Sequence, residues 1–256
     1  MSSVSFWNFF FISAATFIFT LVFSFSYVFV KNMKISAYAK CLAGGIILAT
    51  LLFHVFPDVC ISEFRVIGQL FTGISFLLLF AVDKLYLYTE CNENDQLPQN
   101  VTKKQALVFI LALSLHSFLE GLGIPAKTGK SLVWYIIGLF GHKWIEAFAL
   151  SISVHTSGFE IGYVRLLMTF YSILTPLGTM IGYFIISSMK DNRYFQQLEC
   201  FLNGIACGSF FYIEFIEMLN GEFVNGHKKQ RKLGFIIFGF ALMSIASLGV
   251  AYAESK

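Results

Sequence analysis

Two short segments decide how this chain is interpreted: His116-Ser117-Phe118-Leu119-Glu120-Gly121 and His142-Lys143-Trp144-Ile145-Glu146. Each places a histidine and a glutamate four residues apart inside an apolar stretch. In an α-helix, positions four apart differ by about 40° in direction and about 6 Å in height, so both side chains point the same way. Each stretch is long enough to cross a bilayer, where an acidic residue costs about 2.5 to 3.5 kcal/mol. Two copies of so costly a pattern indicate two halves of one site.

The residue types in these segments are typical of a metal site. Imidazole nitrogens and carboxylate oxygens suit zinc and neighbouring transition metals. Two carboxylates beside two neutral imidazoles carry two negative charges, which one divalent cation neutralises. We therefore predict that His116, Glu120, His142 and Glu146 form one site inside the membrane. The alternative is a set of side chains satisfied by hydrogen bonds between helices, but a structural role does not need two carboxylates in lipid.

The composition predicts an all-α polytopic membrane protein. The 256 residues are 57% hydrophobic and 13% charged, whereas soluble domains carry about 25% charged residues. No soluble domain of useful size fits between the apolar stretches, so residues 1–256 are predicted to form a single domain. The five cysteines show no CxxC pair, which indicates neither a disulfide framework nor a thiolate zinc site. A net charge of +3 argues against nucleic acid as a partner.

The apolar stretches predict a bundle of eight transmembrane helices, and every one has at least 19 residues, enough to cross about 30 Å of hydrocarbon. The first stretch has no preceding basic residue and is too long for a signal peptide. Pro57 is expected to break the second helix, and Thr89 to Lys104 is expected to form a polar loop. The predicted spans are 6–30, 37–56, 66–88, 106–124, 132–155, 164–188, 198–219 and 233–253.

The distribution of basic residues predicts the orientation of the bundle. Eleven lysines and arginines follow spans 1, 3, 5 and 7, six lie on the other side, and Lys143 inside a span completes the 18. Because cytoplasmic loops carry the excess of lysine and arginine, both termini are expected to be extracytoplasmic.

The two motifs resemble the signature of the ZIP family of zinc and iron transporters. Further segments are similar to that family's second, sixth and seventh helices: Gly44-Gly45 with His54-x-x-Pro57-Asp58, Thr175-Pro176-Leu177-Gly178, and Gly204-x-x-x-Gly208-Ser209-Phe210-Phe211-Tyr212 followed by Glu217. The resemblance implies that the quartet of His116, Glu120, His142 and Glu146 is a transport site on the fourth and fifth helices. It also implies a homodimer that moves zinc, and as further candidates Fe²⁺, Mn²⁺ or Cd²⁺, into the cytoplasm by alternating access. No cofactor is expected, and the plasma membrane is favoured over an endomembrane.

Other polar residues are weaker candidates along the same route. His54 and Asp58 can capture the ion at the entrance, and His155 and Glu217 can release it at the exit, although polarity at a membrane edge also explains them. Some ZIP relatives bind a second metal at the positions of Ser117 and Lys143, where a protonated lysine cannot act as a ligand. We expect Lys143 to be a fixed cation beside Glu120 or Glu146, with snorkelling to the interface as the alternative.

The rival interpretation is an intramembrane zinc-dependent hydrolase. Such an enzyme keeps an open coordination position on the metal and needs a general base, which one of the glutamates can supply. The sequence contains no HExxH segment, and the paired motifs on successive helices favour the transporter.

Overall fold

The computed structural model describes residues 6–26, 33–61, 63–87, 99–188, 192–220 and 228–254. Within these ranges all regular structure is helical, which confirms the all-α prediction, and each predicted span overlaps one long helix. Residues 27–30 of the first predicted span lie outside the described ranges. The eight long helices of the described chain are α1 (Phe6–Ser24), α2 (Met33–Thr50), α3 (Arg65–Val82), α4 (Gln99–Gly123), α5 (Gly129–Thr156), α6 (Ile161–Ser188), α7 (Asn192–Tyr212) and α8 (Lys229–Glu254).

The chain is a multi-pass membrane protein. Among the described residues, seven helical segments are long and apolar enough to cross a membrane, one in each long helix except α5. The 28 residues of α5 reach about 42 Å, which is also long enough. It falls outside the apolar set because His142, Lys143 and Glu146 lower its mean hydropathy. The long helix that is missing from this set therefore carries half of the predicted site.

Two details of the predicted helices are wrong. The chain does not break at Pro57, because α2 continues through a π-helical segment, Leu51–Val55, into the α-helix Phe56–Ile61. The wider π-helical turn before Pro57 accommodates its ring and its missing N–H. The loop expected from Thr89 to Lys104 is shortened because α4 already begins at Gln99. Lysine and glutamine are good helix formers, so the helix extends beyond the apolar stretch; residues 88–98 lie outside the described ranges.

Small residues bring α4 and α6 together beside the predicted site. A β-carbon on Gly121 would overlap the carbonyl oxygen of Thr175, and one on Gly178 would overlap that of Phe118. The Thr175 hydroxyl also donates a hydrogen bond of 3.1 Å to the carbonyl oxygen of Ser117. Glycines of this kind let two membrane helices approach closely, so the part of α4 that carries His116 and Glu120 is held against α6.

The remaining helices enclose these two. α2 packs along α8, α3 packs along α7, and α1 packs against α5 and α6. α4 contacts α5, α6 and α7, and α5 contacts α1, α2, α4 and α6, so both helices of the predicted site lie inside the bundle. Large apolar side chains such as Ile18, Leu77 and Ile245 are exposed on the outside, as expected for a surface that faces lipid. Buried polar side chains, among them Ser117 and Glu146, lie inside.

Candidate metal centre

The four predicted ligands meet between α4 and α5. Nε2 of His142 lies 2.7 Å from Oε1 of Glu120, to which it donates a hydrogen bond. Oε1 of Glu146 lies 3.7 Å from Nε2 of His116 and 3.7 Å from Nε2 of His142. All four side chains are at least 93% buried, since the most exposed of them are at 7%. The spacing of four residues in each motif thus places both pairs on facing sides of neighbouring helices.

The cluster has the dimensions of a metal site. One ligand atom from each of His116, Glu120 and His142 lies within 4.8 Å of the others. A tetrahedral zinc ion with bonds of about 2.0–2.1 Å holds its ligand atoms about 3.3 Å apart. Small side-chain shifts, with the opening of the bond between His142 and Glu120, would therefore bring these atoms to ligand distance.

Unpartnered polar atoms support the same interpretation. Within the described part of the chain, both ring nitrogens of His116, Nδ1 of His142 and Oε1 of Glu146 are buried without a hydrogen-bond partner. Buried polar atoms normally have partners, because an unpaired one costs about 1–3 kcal/mol. Three of the four predicted ligands therefore have buried nitrogen or oxygen atoms that are free to bind a cation.

Lys143 lies inside this cluster. Its side chain is fully buried, and Nζ donates hydrogen bonds to Oε2 of Glu120 at 2.7 Å and to Oγ of Ser117 at 2.9 Å. The same nitrogen is 3.3 Å from Oε2 of Glu146. The snorkelling alternative is therefore wrong. The ammonium bridges the two carboxylates, and each carboxylate turns its other oxygen towards the histidines.

Three aromatic residues at the site were not predicted from the sequence. The Tyr171 hydroxyl donates to Oε2 of Glu146 at 3.3 Å, and the Tyr135 hydroxyl donates to the carbonyl oxygen of Glu120 at 3.1 Å. The Phe210 ring centroid lies 3.8 Å from that of His116. A tyrosine inside an apolar stretch is a weak signal, because a buried hydroxyl usually has a polar partner. Phe210 is one of 31 phenylalanines and gives no signal of its own.

A cavity of about 420 Å³ connects the cluster to the protein surface. Its lining runs from the exposed side chain of Asp58 through His54 to His116, Glu120 and His142. The two candidate entrance residues therefore share one cavity with three of the four predicted ligands. His54 is oriented by a contact that the sequence did not predict, a 3.0 Å hydrogen bond between its Nε2 and the Ser247 hydroxyl of α8.

Of the two candidate exit residues, the structure describes the side chain of His155 alone, and it lies away from the cluster. His155 is exposed in the last turn of α5, nine residues or about 13 Å of helix axis beyond Glu146. Glu217 belongs to the π-helical segment Ile213–Asn220 that continues α7, and its side chain lies outside the described part of the structure.

A multi-pass helical protein with a buried group of histidines and glutamates belongs to the class of membrane proteins that handle metal ions. A family model described as ZIP Zinc transporter matches residues 88–247, which include both motifs. The chain belongs to the ZIP zinc transporter family. Because this is a family of transporters, the hydrolase alternative is not retained.

Three curated relatives show how far the similarity extends. Zinc transporter ZIP1 of Danio rerio is 33% identical over 141 residues, which cover 55% of this chain and 46% of the relative. Protein zntC of Dictyostelium discoideum is 32% identical over 146 residues, covering 57% of this chain and 36% of the relative. Zinc transporter ZIP1 of Homo sapiens is 24% identical over 256 residues, covering 84% of this chain and 78% of the relative. The chain thus spans less than half the length of the first two.

The burial of Lys143 predicts a metal-dependent stability. Lys143→Met leaves two buried carboxylates without their cation, so the free energy of unfolding of the metal-free protein should fall by about 3–5 kcal/mol. Zinc should raise the melting temperature of this variant more than that of the wild type, because the ion replaces the lost positive charge. Thermal melting in detergent, with and without zinc, measures both.

The matched control for this prediction is Lys130→Met, the same substitution at an exposed position of α5. It should change the stability by no more than about 0.5 kcal/mol. A metal-free Lys143→Met protein as stable as this control would contradict a charge-balancing role for Lys143.

Proposed function

We propose that this chain transports divalent metal cations towards the cytoplasm by alternating access, with zinc as the favoured ion and Fe²⁺, Mn²⁺ and Cd²⁺ as further candidates. The observation that best supports this function is the set of unpartnered ligand atoms on His116 and Glu146 in the interior of the bundle. A cluster at the end of an open cavity, inside a membrane protein, suits an ion that passes through. His116, Glu120, His142 and Glu146 are its proposed ligands.

The chemistry of the cavity supports a route for the ion. A hydrated cation first meets the Asp58 carboxylate and then His54, both of which line the cavity. Deeper in, imidazole nitrogens and carboxylate oxygens replace the water molecules that the ion loses. Glu120 turns from its hydrogen bond with His142 to the ion, and the charge of the ion offsets the cost of two carboxylates in a poorly solvated place.

The proposed topology has eight spans, with α5 as the fifth, and both termini extracytoplasmic. It is supported by the excess of lysines and arginines on the opposite side of the membrane. In this orientation the mouth of the cavity, near Asp58 and Lys127, faces away from the cytoplasm. We further propose, on the family resemblance, a homodimer in the plasma membrane, with an endomembrane as the alternative, and residues 1–256 as one transporter domain.

Substitutions in the quartet provide the first test of this function. Glu146→Gln removes one negative charge and nearly preserves the shape, so we expect near-complete loss of zinc uptake by proteoliposomes. His116→Ala should have the same effect, because it removes a ligand that has no hydrogen-bonding role among the described residues. Ser209→Ala, at a buried hydroxyl that bonds only its own helix turn in the described structure, is the control. Wild-type uptake by both quartet variants would mean that the four residues are structural.

Lys143 predicts how many ions the site binds. Its ammonium occupies the space between Glu120 and Glu146 and repels a second cation, so we expect one zinc ion per chain. Lys143→Asp replaces this charge with a carboxylate and should raise the count towards two, whereas Lys143→Met adds no ligand and should leave it at one. Elemental analysis of purified, zinc-loaded protein measures the count, and two ions in the wild type would refute the idea.

A further inference from the structure

Glu214 is a buried carboxylate that the proposed site does not use. It belongs to the π-helical segment Ile213–Asn220 and is fully buried. Within the described part of the chain, neither of its carboxylate oxygens has a hydrogen-bond partner and no described cation forms an ion pair with it. The ionised form of Glu214 would be an isolated buried charge, which is expensive, and buried charges in proteins are generally paired or coordinate metals. The position therefore calls for a positively charged ligand.

The position of Glu214 follows from its place along α7. Asn203 and Ala206 line the outer cavity, and Phe210 packs on the ring of His116. Glu214 comes next at the same spacing of three or four residues, about 6 Å of helix axis beyond Phe210. One face of α7 thus runs from the outer cavity past the metal cluster to Glu214, which lies on the side away from the cavity.

The opposing face belongs to α2. Gly44 lies against Glu214, since a β-carbon on Gly44 would be 3.8 Å from Oε1 of that residue. Ile47 of α2 and Leu51 of the π-helical segment that continues it are fully buried and lie between Gly44 and His54 in the chain. They belong to the same buried apolar cluster as Phe210 of α7, so apolar side chains lie along both helices between Glu214 and the outer cavity. Because Gly44 has no side chain, there is room beside the carboxylate of Glu214. The next residue of α2, Gly45, offers no such room, because it packs tightly against α8.

We propose that Glu214 is a second cation-binding position on the transport path, which holds the partly hydrated divalent ion after it leaves the histidine–glutamate cluster. This inference rests on the proposed transport function. The histidine–glutamate cluster binds the ion while the outer cavity is open. Glu214 receives the ion when the apolar side chains of Ile47, Leu51 and Phe210 move apart on the other side. The carboxylate gives the ion a negatively charged ligand on a segment that also carries Glu217.

Glu214→Gln tests this inference, because it removes the charge and keeps the shape. Zinc uptake per molecule should fall at least about tenfold, the effect of about 1.4 kcal/mol on the slowest step. Equilibrium zinc binding by the purified variant, measured calorimetrically, should keep the wild-type affinity, since the outer cluster is intact. Its melting temperature should equal or exceed that of the wild type, because a buried, unpaired charge is gone. A structural role would instead lower the melting temperature.

Two control variants show what the result for Glu214→Gln means. Glu160→Gln, at an exposed glutamate before α6, should transport at the wild-type rate. Glu120→Gln should lose both zinc binding and uptake, which separates the cluster from Glu214. Wild-type uptake by Glu214→Gln would overturn the inference and leave the transport function intact. A wild-type protein that moves no zinc would overturn both.

Gly44→Ala provides a second test if Glu214→Gln does not fold. The added methyl group lies at ordinary contact distances of 3.7–3.8 Å from its neighbours, so the fold accommodates it, but it takes up space beside the carboxylate. Uptake should fall while zinc affinity at the cluster stays unchanged. Wild-type uptake by this variant would count against Glu214 as a cation-binding position.

Discussion

The balance of charge around Lys143 is the interaction on which the rest of the structure depends. One buried ammonium lies 2.7 Å from a carboxylate oxygen of Glu120 and 3.3 Å from one of Glu146. Without it, two carboxylates would lie unpaired among apolar helices, at a cost of several kcal/mol each. With it, the cluster retains one net negative charge if the histidines are neutral. The protein therefore tolerates its own site without metal and still attracts a cation.

The packing of the bundle serves this balance. Gly121 and Gly178 let α4 approach α6 closely, which holds the Ser117 and Glu120 side chains where Lys143 of α5 reaches them. The Tyr171 hydroxyl of α6 donates a hydrogen bond to Oε2 of Glu146, the oxygen that faces Lys143. Each carboxylate is thus fixed by one oxygen and presents the other to the histidines. Among the described residues, Oε1 of Glu146 and the ring nitrogens of His116 therefore have no hydrogen-bond partner, whereas Oε2 of each carboxylate is bonded.

Much of the fold and of the central site could be predicted from the sequence because both follow from local spacing. Apolar stretches of 19 residues or more predict helices, and a separation of four residues places His116 with Glu120 on one helix face. The contacts that depend on how helices pack could not be predicted in this way. The hydroxyl of Tyr171, the ring of Phe210 and the bond between His54 and Ser247 join residues far apart in the chain. Likewise, no feature of the sequence other than Pro57 itself indicates the π-helical segment that precedes it.

The proposed function requires that one zinc ion binds to imidazole nitrogens and carboxylate oxygens inside the bundle. X-ray absorption at the zinc edge of purified, zinc-loaded protein measures the ligand atoms directly. We predict nitrogen and oxygen neighbours at about 2.0–2.1 Å and the outer-shell scattering of two imidazoles. Glu120→Gln and His142→Ala should each remove this spectrum. Sulfur neighbours at about 2.3 Å would place the zinc on cysteines instead and contradict the account.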